Sequence, residues 1–367
     1  MSGTSNFGDS RVTGHESIEV LKDTDAVFDF EKANADAWIT RKVDVHLITL
    51  GEQLGVKTYL VNPPLICNVP FFGAFILETD QSRWLHQFTG LIDTQTANDS
   101  LAVPLHFVHH RSDRQDAIPL LFLHGWPGSF LEVENIIDLL THPPKSSLPA
   151  FHVVAPSIPG FGFSPAPVND GFGPREASQA FNALMLKLNY TKYVYQGGDF
   201  AGTIFRYQAT RFPDNLVSGL SNFWVVPPTP SDNERYRNNH TSPEETAYIK
   251  HITAYITQES GYRIVQEMSP LTLAYALTDS PLGFAMWIYN LMRIAIDPTI
   301  STWTPREIVT WSLMYTIQGP YGGLRMYKEM LAEGAFRGLV EGRPPYVRQP
   351  VAVSEFPHDI WYGESLD

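Results

Sequence analysis

From Leu105 to Val226 the chain alternates short β-rich runs with helical stretches, and that alternation restricts the fold more than any other feature. His106–His110, Ile118–Leu123, Phe151–Ala155, Lys192–Gln196 and Val217–Val226 read as strands; Phe130–Leu140, Glu176–Leu188 and Ala201–Phe212 read as helices. Strands separated by helices of about 10–15 residues need crossover connections, which are right-handed, so this stretch predicts a mostly parallel sheet flanked by helices, an α/β fold. Before it, helix-like pieces at Ala33–Val43 and Ser82–Leu91 are broken by Pro63–Pro64 and Pro70–Gly73. No period persists there, and residues 1–104 are expected to form an irregular N-terminal extension. After Val226, Pro227-Pro228-Thr229-Pro230 and a polar stretch lead into helical material from Glu244 to about Met292, which predicts a helical lid over 227–301. Residues 302–367 return to the core with a helix from Pro305 and a strand near Pro350–Val353.

Composition removes several classes of function. A net charge of −13 argues against a surface made for nucleic acid or anionic lipid. Cys67 is the single cysteine, so neither a disulfide framework nor a cysteine zinc cage can form within the chain. No run of about 18 apolar residues is present, so no spanning helix is expected. The first eleven residues lack the basic and then apolar pattern of a leader, and the sequons at Asn98, Asn189 and Asn239 read as chance, so the expected compartment is the cytoplasm.

The chemistry concentrates in Tyr193-Val-Tyr-Gln-Gly-Gly-Asp199-Phe200-Ala201-Gly202. A β run ends in two glycines, one acidic residue follows, and small residues open a helix. That is the small-x-nucleophile-x-small pattern of a nucleophile elbow, with aspartate in the nucleophile's place. The turn is strained and packs helix closely on strand, which is why small residues flank it. It sets the Asp199 carboxylate at a helix N-terminus, whose dipole favours the ionised form. A helix-capping aspartate in a Gly-Gly-Asp turn is the competing reading. Leu121-Phe-Leu-His124-Gly-Trp126-Pro-Gly-Ser129 adds a second signal, a strand followed by a His-Gly-x-Pro loop. Such a loop supplies one backbone N–H of an oxyanion hole, here from Trp126, and the residue after the nucleophile, here Phe200, supplies the other. His124 reads as a structural loop residue; His106, His109 and His110 also read as structural.

Taken with Pro156-Ser-Ile-Pro-Gly-Phe-Gly-Phe-Ser164, Tyr275-Ala-Leu-Thr-Asp-Ser-Pro-Leu-Gly-Phe-Ala-Met-Trp287 and Arg325-Met-Tyr-Lys-Glu329, these segments resemble the α/β-hydrolase-fold epoxide hydrolases of the microsomal and fungal type. The resemblance runs from about Leu105 to the end of the chain. It implies an α/β-hydrolase fold in which Asp199 attacks an epoxide carbon, an alkyl-enzyme ester forms, and water hydrolyses it to a diol. It implies Tyr262 and Tyr327 as proton donors to the ring oxygen, a task a neutral phenol suits. Either tyrosine could instead simply pack in an aromatic lid. Asp359 is implied as the acid that orients a histidine base. That histidine is expected about 25 residues further on, past Asp367, so the chain as written predicts the alkylation step with impaired turnover. His358 adjoins Asp359 and in an extended segment points to the opposite face. The substrate expected is a small apolar epoxide, with Tyr275, Phe284, Trp287 and Tyr289 as candidate pocket aromatics; no cofactor or metal is needed, and a homodimer is allowed. A ligand-binding or biosynthetic protein on the same fold, or a haloalkane dehalogenase, are the other readings. Dehalogenases of this fold often carry tryptophan directly after the nucleophile, where this chain has Phe200.

Overall fold

The computed structural model describes residues 87–93, 102–278, 280–335, 346–356 and 359. Seven strands form one sheet in the order β1-β2-β4-β3-β5-β6-β7. They are β1 (Gln87–Asp93), β2 (Ala102–His110), β3 (Ile118–Leu123), β4 (Phe151–Pro156), β5 (Tyr193–Gly197), β6 (Leu216–Ser221) and β7 (Val351–Val353). β1 pairs antiparallel with β2 and β2 antiparallel with β4; every other pairing is parallel. The order reverses between β3 and β4, so strands on either side of β3 cross over in opposite directions and open a crevice at their carboxyl ends.

Burial explains the central strands. β3 runs Ile-Pro-Leu-Leu-Phe-Leu and is buried over its last four residues, as a strand covered on both faces must be. Helix α2 (Pro174–Lys187) and α3 (Phe200–Arg211) pack on each other, and α3 also packs on β5. α2 begins at a proline and buries Ala177, Ala180, Phe181, Leu184 and Met185, the i, i+3, i+4 spacing of one helical face.

Between β6 and β7 come α4 (Pro230–Arg237), α5 (Pro243–Ala254), a π turn (Tyr255–Glu259), α6 (Gly261–Met268), α7 (Pro270–Thr278), α8 (Pro281–Met292), α9 (Pro305–Thr316) and α10 (Tyr321–Ala332). α4, α5 and α9 all start with Ser or Thr, then Pro, then an acid two residues on: Thr229 with Asp232, Ser242 with Glu245, Thr304 with Glu307. Each pair closes a reciprocal capping box, which fixes where these helices start. α6 and α7 both pack on α10.

Three expectations need correction. Ser82–Leu91 is not helical over its second half, where the backbone of Gln87–Asp93 pairs with β2. Phe130–Leu140 is not one helix: a 3₁₀ turn covers Phe130–Val133, and a single short helix, α1 (Ile137–Thr141), follows it. Ser129 caps the 3₁₀ turn by accepting from the Leu131 N–H at 3.2 Å, and this competes with continuous α-helix. The strand read over Val217–Val226 stops at Ser221, where the Ser221 hydroxyl accepts from the Phe223 N–H and turns the chain. Ala33–Val43 and His358 lie outside the described residues.

Candidate active site

Asp199 ends the turn between β5 and α3 with φ 50° and ψ −123°, a conformation L-residues rarely hold. The approach of helix to strand leaves no room for a side chain at Gly197, where a Cβ would stand 2.5 Å from that of Ala201. The Tyr195 hydroxyl donates to the Ala201 carbonyl at 2.6 Å and braces the first turn of α3 from beneath.

The carboxylate meets the loop after β3. Its Oδ1 accepts from the Trp126 N–H at 2.8 Å, and the Phe200 backbone N–H also bonds it. Both N–H groups expected of an oxyanion hole therefore converge on one oxygen-bearing group. A Cβ at Gly125 would lie 2.7 Å from Asp199 Oδ1, so the loop can approach this closely only with glycine there. His124 anchors the loop: its Nδ1 lies 3.0 Å from the Gly125 carbonyl and its Nε2 accepts from the Ile158 N–H at 3.1 Å. With both ring nitrogens engaged, His124 is structural, as its place in the loop suggests. His106 likewise meets Ser157 Oγ at 2.9 Å through Nδ1, and His109 Nε2 meets the Tyr190 hydroxyl at 3.0 Å.

The helix dipole does not dominate the charge state of Asp199. Burial pushes its carboxyl up to about 6, against the pull of the Trp126 and Phe200 N–H groups, and the charge of Asp359 raises it further. Asp359 lines the same cavity as Asp199. Near it stands a third acid the sequence reading missed. Glu132 is pushed up to about 8 by burial and then by the Asp199 charge, opposed by the backbone at Ser129 and Gly125. Its position three residues after the capping Ser129 was the available signal, and it sits inside what reads as an ordinary helix turn.

On the other side of Asp199 are the tyrosines. Tyr262, from the first turn of α6, stacks on Trp126 with ring centroids 5.1 Å apart and planes 9° from parallel. Tyr327, from α10, packs edge-on against Trp126 at 5.7 Å, Phe200 at 4.6 Å and Tyr262 at 6.0 Å. Burial holds both phenols well above their ordinary range, so each is a neutral O–H at neutral pH. A third tyrosine, Tyr255, meets the Tyr262 hydroxyl at 2.7 Å. Sequence reading missed it, because a π turn and Ser260 interrupt the helix between Tyr255 and Tyr262.

Two cavities adjoin Asp199. The larger, about 520 Å³, is lined by the polar residues Glu132, Asp359, Gln196 and Asn222 and by Phe223, Leu291, Trp303, Trp311 and Phe356 among others. The smaller, about 10 Å³, is enclosed by Asp199, Phe200, Tyr255, Tyr262, Arg263 and Tyr327 with Thr203, Phe223 and Met330. None of the aromatics expected to line a pocket, Tyr275, Phe284, Trp287 and Tyr289, lines either of these cavities: Tyr275 is 73% exposed, Phe284 packs on Tyr315, and Trp287 donates to Gln266. Among the described residues no group of three or more His, Cys, Asp or Glu could hold a metal ion. No helix of the described residues is long and apolar enough to cross a membrane.

A mostly parallel sheet carrying a strained aspartate between β5 and α3, with two backbone N–H groups from separate loops on its carboxylate, belongs to the α/β-hydrolase fold. The family described as alpha/beta hydrolase fold matches residues 118–223, and the family described as epoxide hydrolase N terminus matches residues 78–133, which begins upstream of the first motif read from the sequence and includes the Leu121–Ser129 segment. Within that class the chain is a relative of the epoxide hydrolases. It is 31% identical to juvenile hormone epoxide hydrolase 2 of Ctenocephalides felis, over 70% of this chain and 60% of that one. Identity to epoxide hydrolase 1 of Sus scrofa is also 31%, over 70% of this chain and 62% of that one. The crystal structure of juvenile hormone epoxide hydrolase from the silkworm Bombyx mori superposes with a TM-score of 0.64 at 26% identity, covering 76% of this chain and 68% of that one. The chain spans about three-fifths of the length of the curated relatives it matches.

Proposed function

We propose that the protein opens an apolar epoxide by attack of the Asp199 carboxylate, forming an ester that water then hydrolyses to a diol. One observation carries the reading: the Asp199 carboxylate is held by the Trp126 and Phe200 N–H groups while Tyr262 and Tyr327 face it across the smaller cavity. A serine hydrolase needs the oxyanion hole for its substrate's carbonyl oxygen. Here the hole holds the nucleophile's own carboxylate, so one oxygen is fixed and the other is left to attack. The bond from that oxygen to an epoxide carbon forms as the ring C–O bond breaks, and a tyrosine proton goes to the released oxygen. In the second step the same two N–H groups stabilise the oxyanion that appears when water attacks the ester carbon. Family resemblance assigns the proton of that water to a histidine oriented by Asp359. In this reading 227–301 act as the lid and 105–226 with 302–367 as the core.

The substrate class follows from the relatives' names, which share the epoxide and differ in what carries it. Phe223, Leu291, Trp303 and Trp311 around the larger cavity suit an apolar substituent. Haloalkane dehalogenation fits less well, because two neutral phenols suit a developing alkoxide. Incubation with styrene oxide followed by intact mass measurement tests the proposal. The wild-type chain is expected to gain one epoxide mass and Asp199→Ala none; an adduct that persists in Asp199→Ala refutes it. Diol formation, followed separately, reports the second step.

A further inference from the structure

We propose that Tyr255 is a positioning residue for the proton-donating tyrosine: it donates its hydroxyl hydrogen to the Tyr262 oxygen and stabilises the phenolate left when Tyr262 protonates the opened epoxide. This rests on the epoxide-opening reading above.

The two hydroxyl oxygens are 2.7 Å apart, and the Tyr255 side chain lines the same small cavity as Asp199, Tyr262 and Tyr327. Such closeness is not what the sequence spacing alone produces. Seven residues along a straight α-helix rise about 10.5 Å. Here the helix is interrupted between them: Tyr255 opens a π turn over Tyr255–Glu259, and Ser260 separates that turn from α6. Within the turn Tyr255 is buried while Ile256 is 46% exposed, so the irregularity turns one phenol inward and leaves its neighbours in solvent. π turns inside helices are often found where a side chain must be re-aimed for function.

The direction of the hydrogen bond follows from the chemistry. If Tyr262 gave its hydrogen to Tyr255, it would have none to give to the epoxide oxygen. With Tyr255 as donor, the Tyr262 hydrogen is left to face the cavity that holds Asp199. During ring opening the negative charge moves from the Asp199 carboxylate to the epoxide oxygen, and as the Tyr262 proton passes to that oxygen the charge is left on Tyr262. The balance is one C–O bond formed, one broken, one O–H proton transferred, and one negative charge now on the Tyr262 oxygen. A donor already in place strengthens as that charge develops, since hydrogen bonds to charged acceptors are about twice as strong as neutral ones. Arg263, which pairs with Glu267, lines the same cavity.

Single-turnover alkylation by styrene oxide, followed by intact mass in the full chain, tests the assignment. Tyr255→Phe keeps the ring and removes the donor. It is expected to lower the saturating alkylation rate at least tenfold while the epoxide concentration giving half that rate changes less than twofold. In a Tyr262→Phe background the same substitution is expected to have no further effect, because the partner through which it acts is gone. A merely structural tyrosine would show its loss in both backgrounds. An unchanged rate in Tyr255→Phe overturns the proposal, and so does an equal loss with and without Tyr262. Tyr255→Leu, read the same way, replaces the Phe variant if that one does not fold. Absence of an adduct in the unsubstituted chain is a different result: it removes the epoxide-opening reading itself, and this assignment with it.

Discussion

Asp199 holds its charge against two costs, a backbone conformation worth about 1–3 kcal/mol of strain and removal from water. The second can be expressed against pH. Its carboxyl lies near its ordinary 3.8 in the unfolded chain and near 6 in the fold, so the fold binds the proton more tightly. The stability that proton binding contributes is therefore complete below pH 3.8 and lost as pH rises through 6. Ionised Asp199 then costs the fold roughly 3 kcal/mol at pH 8. Asp199→Asn, which keeps an acceptor for the Trp126 N–H, is expected to be more stable than wild type by about that amount at pH 8. The advantage should vanish near pH 4; denaturant unfolding at the two pH values checks both limbs. Glu132 belongs to the same balance. Part of what keeps it protonated is the Asp199 charge, so each carboxyl's state depends on the other's.

At the scale of elements, the loop from Leu123 to Phe130 and the β5–α3 turn act as one device, because each supplies one N–H to the same carboxylate. Gly125→Ala would place a methyl group 2.7 Å from Asp199 Oδ1 and push the two apart. The expected result is a loss of about 10²-fold or more in alkylation rate, the usual cost of one oxyanion-hole donor. Unfolding curves should show a much smaller change, since neither Trp126 nor Phe200 loses its place in the core. Both halves of this device were legible in the sequence, because a strand, a tight glycine turn and a helix follow one another within a few residues. The tyrosine side was legible only through resemblance. Tyr262 and Tyr327 are 65 positions apart and meet because α6 packs on α10, a tertiary contact that no local pattern encodes. Tyr255 and Glu132 escaped notice for a related reason. Each sits where a regular helix reading fails, in a π turn and in a 3₁₀ turn, and helical periodicity says nothing about which way an irregular turn points.

For the whole molecule, the alternation from Leu105 onward predicted the mostly parallel sheet, and the strand order agrees with it. β1 and its antiparallel pairing were not predicted, since pairing partners, more than intrinsic propensity, make that segment a strand. The sheet also carries a global pH liability in its buried histidines. Burial holds His106 down to about 3, and His124 down to about 4, so both are neutral in the fold and protonate below 6.5 once unfolded. Their contribution is present above pH 6.5 and is lost as pH falls toward 4 and 3, at roughly 1.4 kcal/mol per pH unit for each. Asp199 and Glu132 act in the opposite sense over part of that range, so the difference between variants is the useful measure. His124→Gln is expected to be less stable at pH 8 yet to lose less stability between pH 6.5 and 4, which parallel unfolding series would show.

The nucleophile and its two N–H donors belong to the sheet and its loops, whereas Tyr255 and Tyr262 ride on helices placed between β6 and β7. The two sets of groups are therefore held by different parts of the fold. A substitution that slides α5 or α6 by a fraction of an ångström would re-aim the Tyr255 and Tyr262 hydroxyls without displacing the Asp199 carboxylate. The position of the tyrosine hydroxyls can therefore be altered by changes in the packing of α5 and α6 that leave the β5–α3 turn as it is.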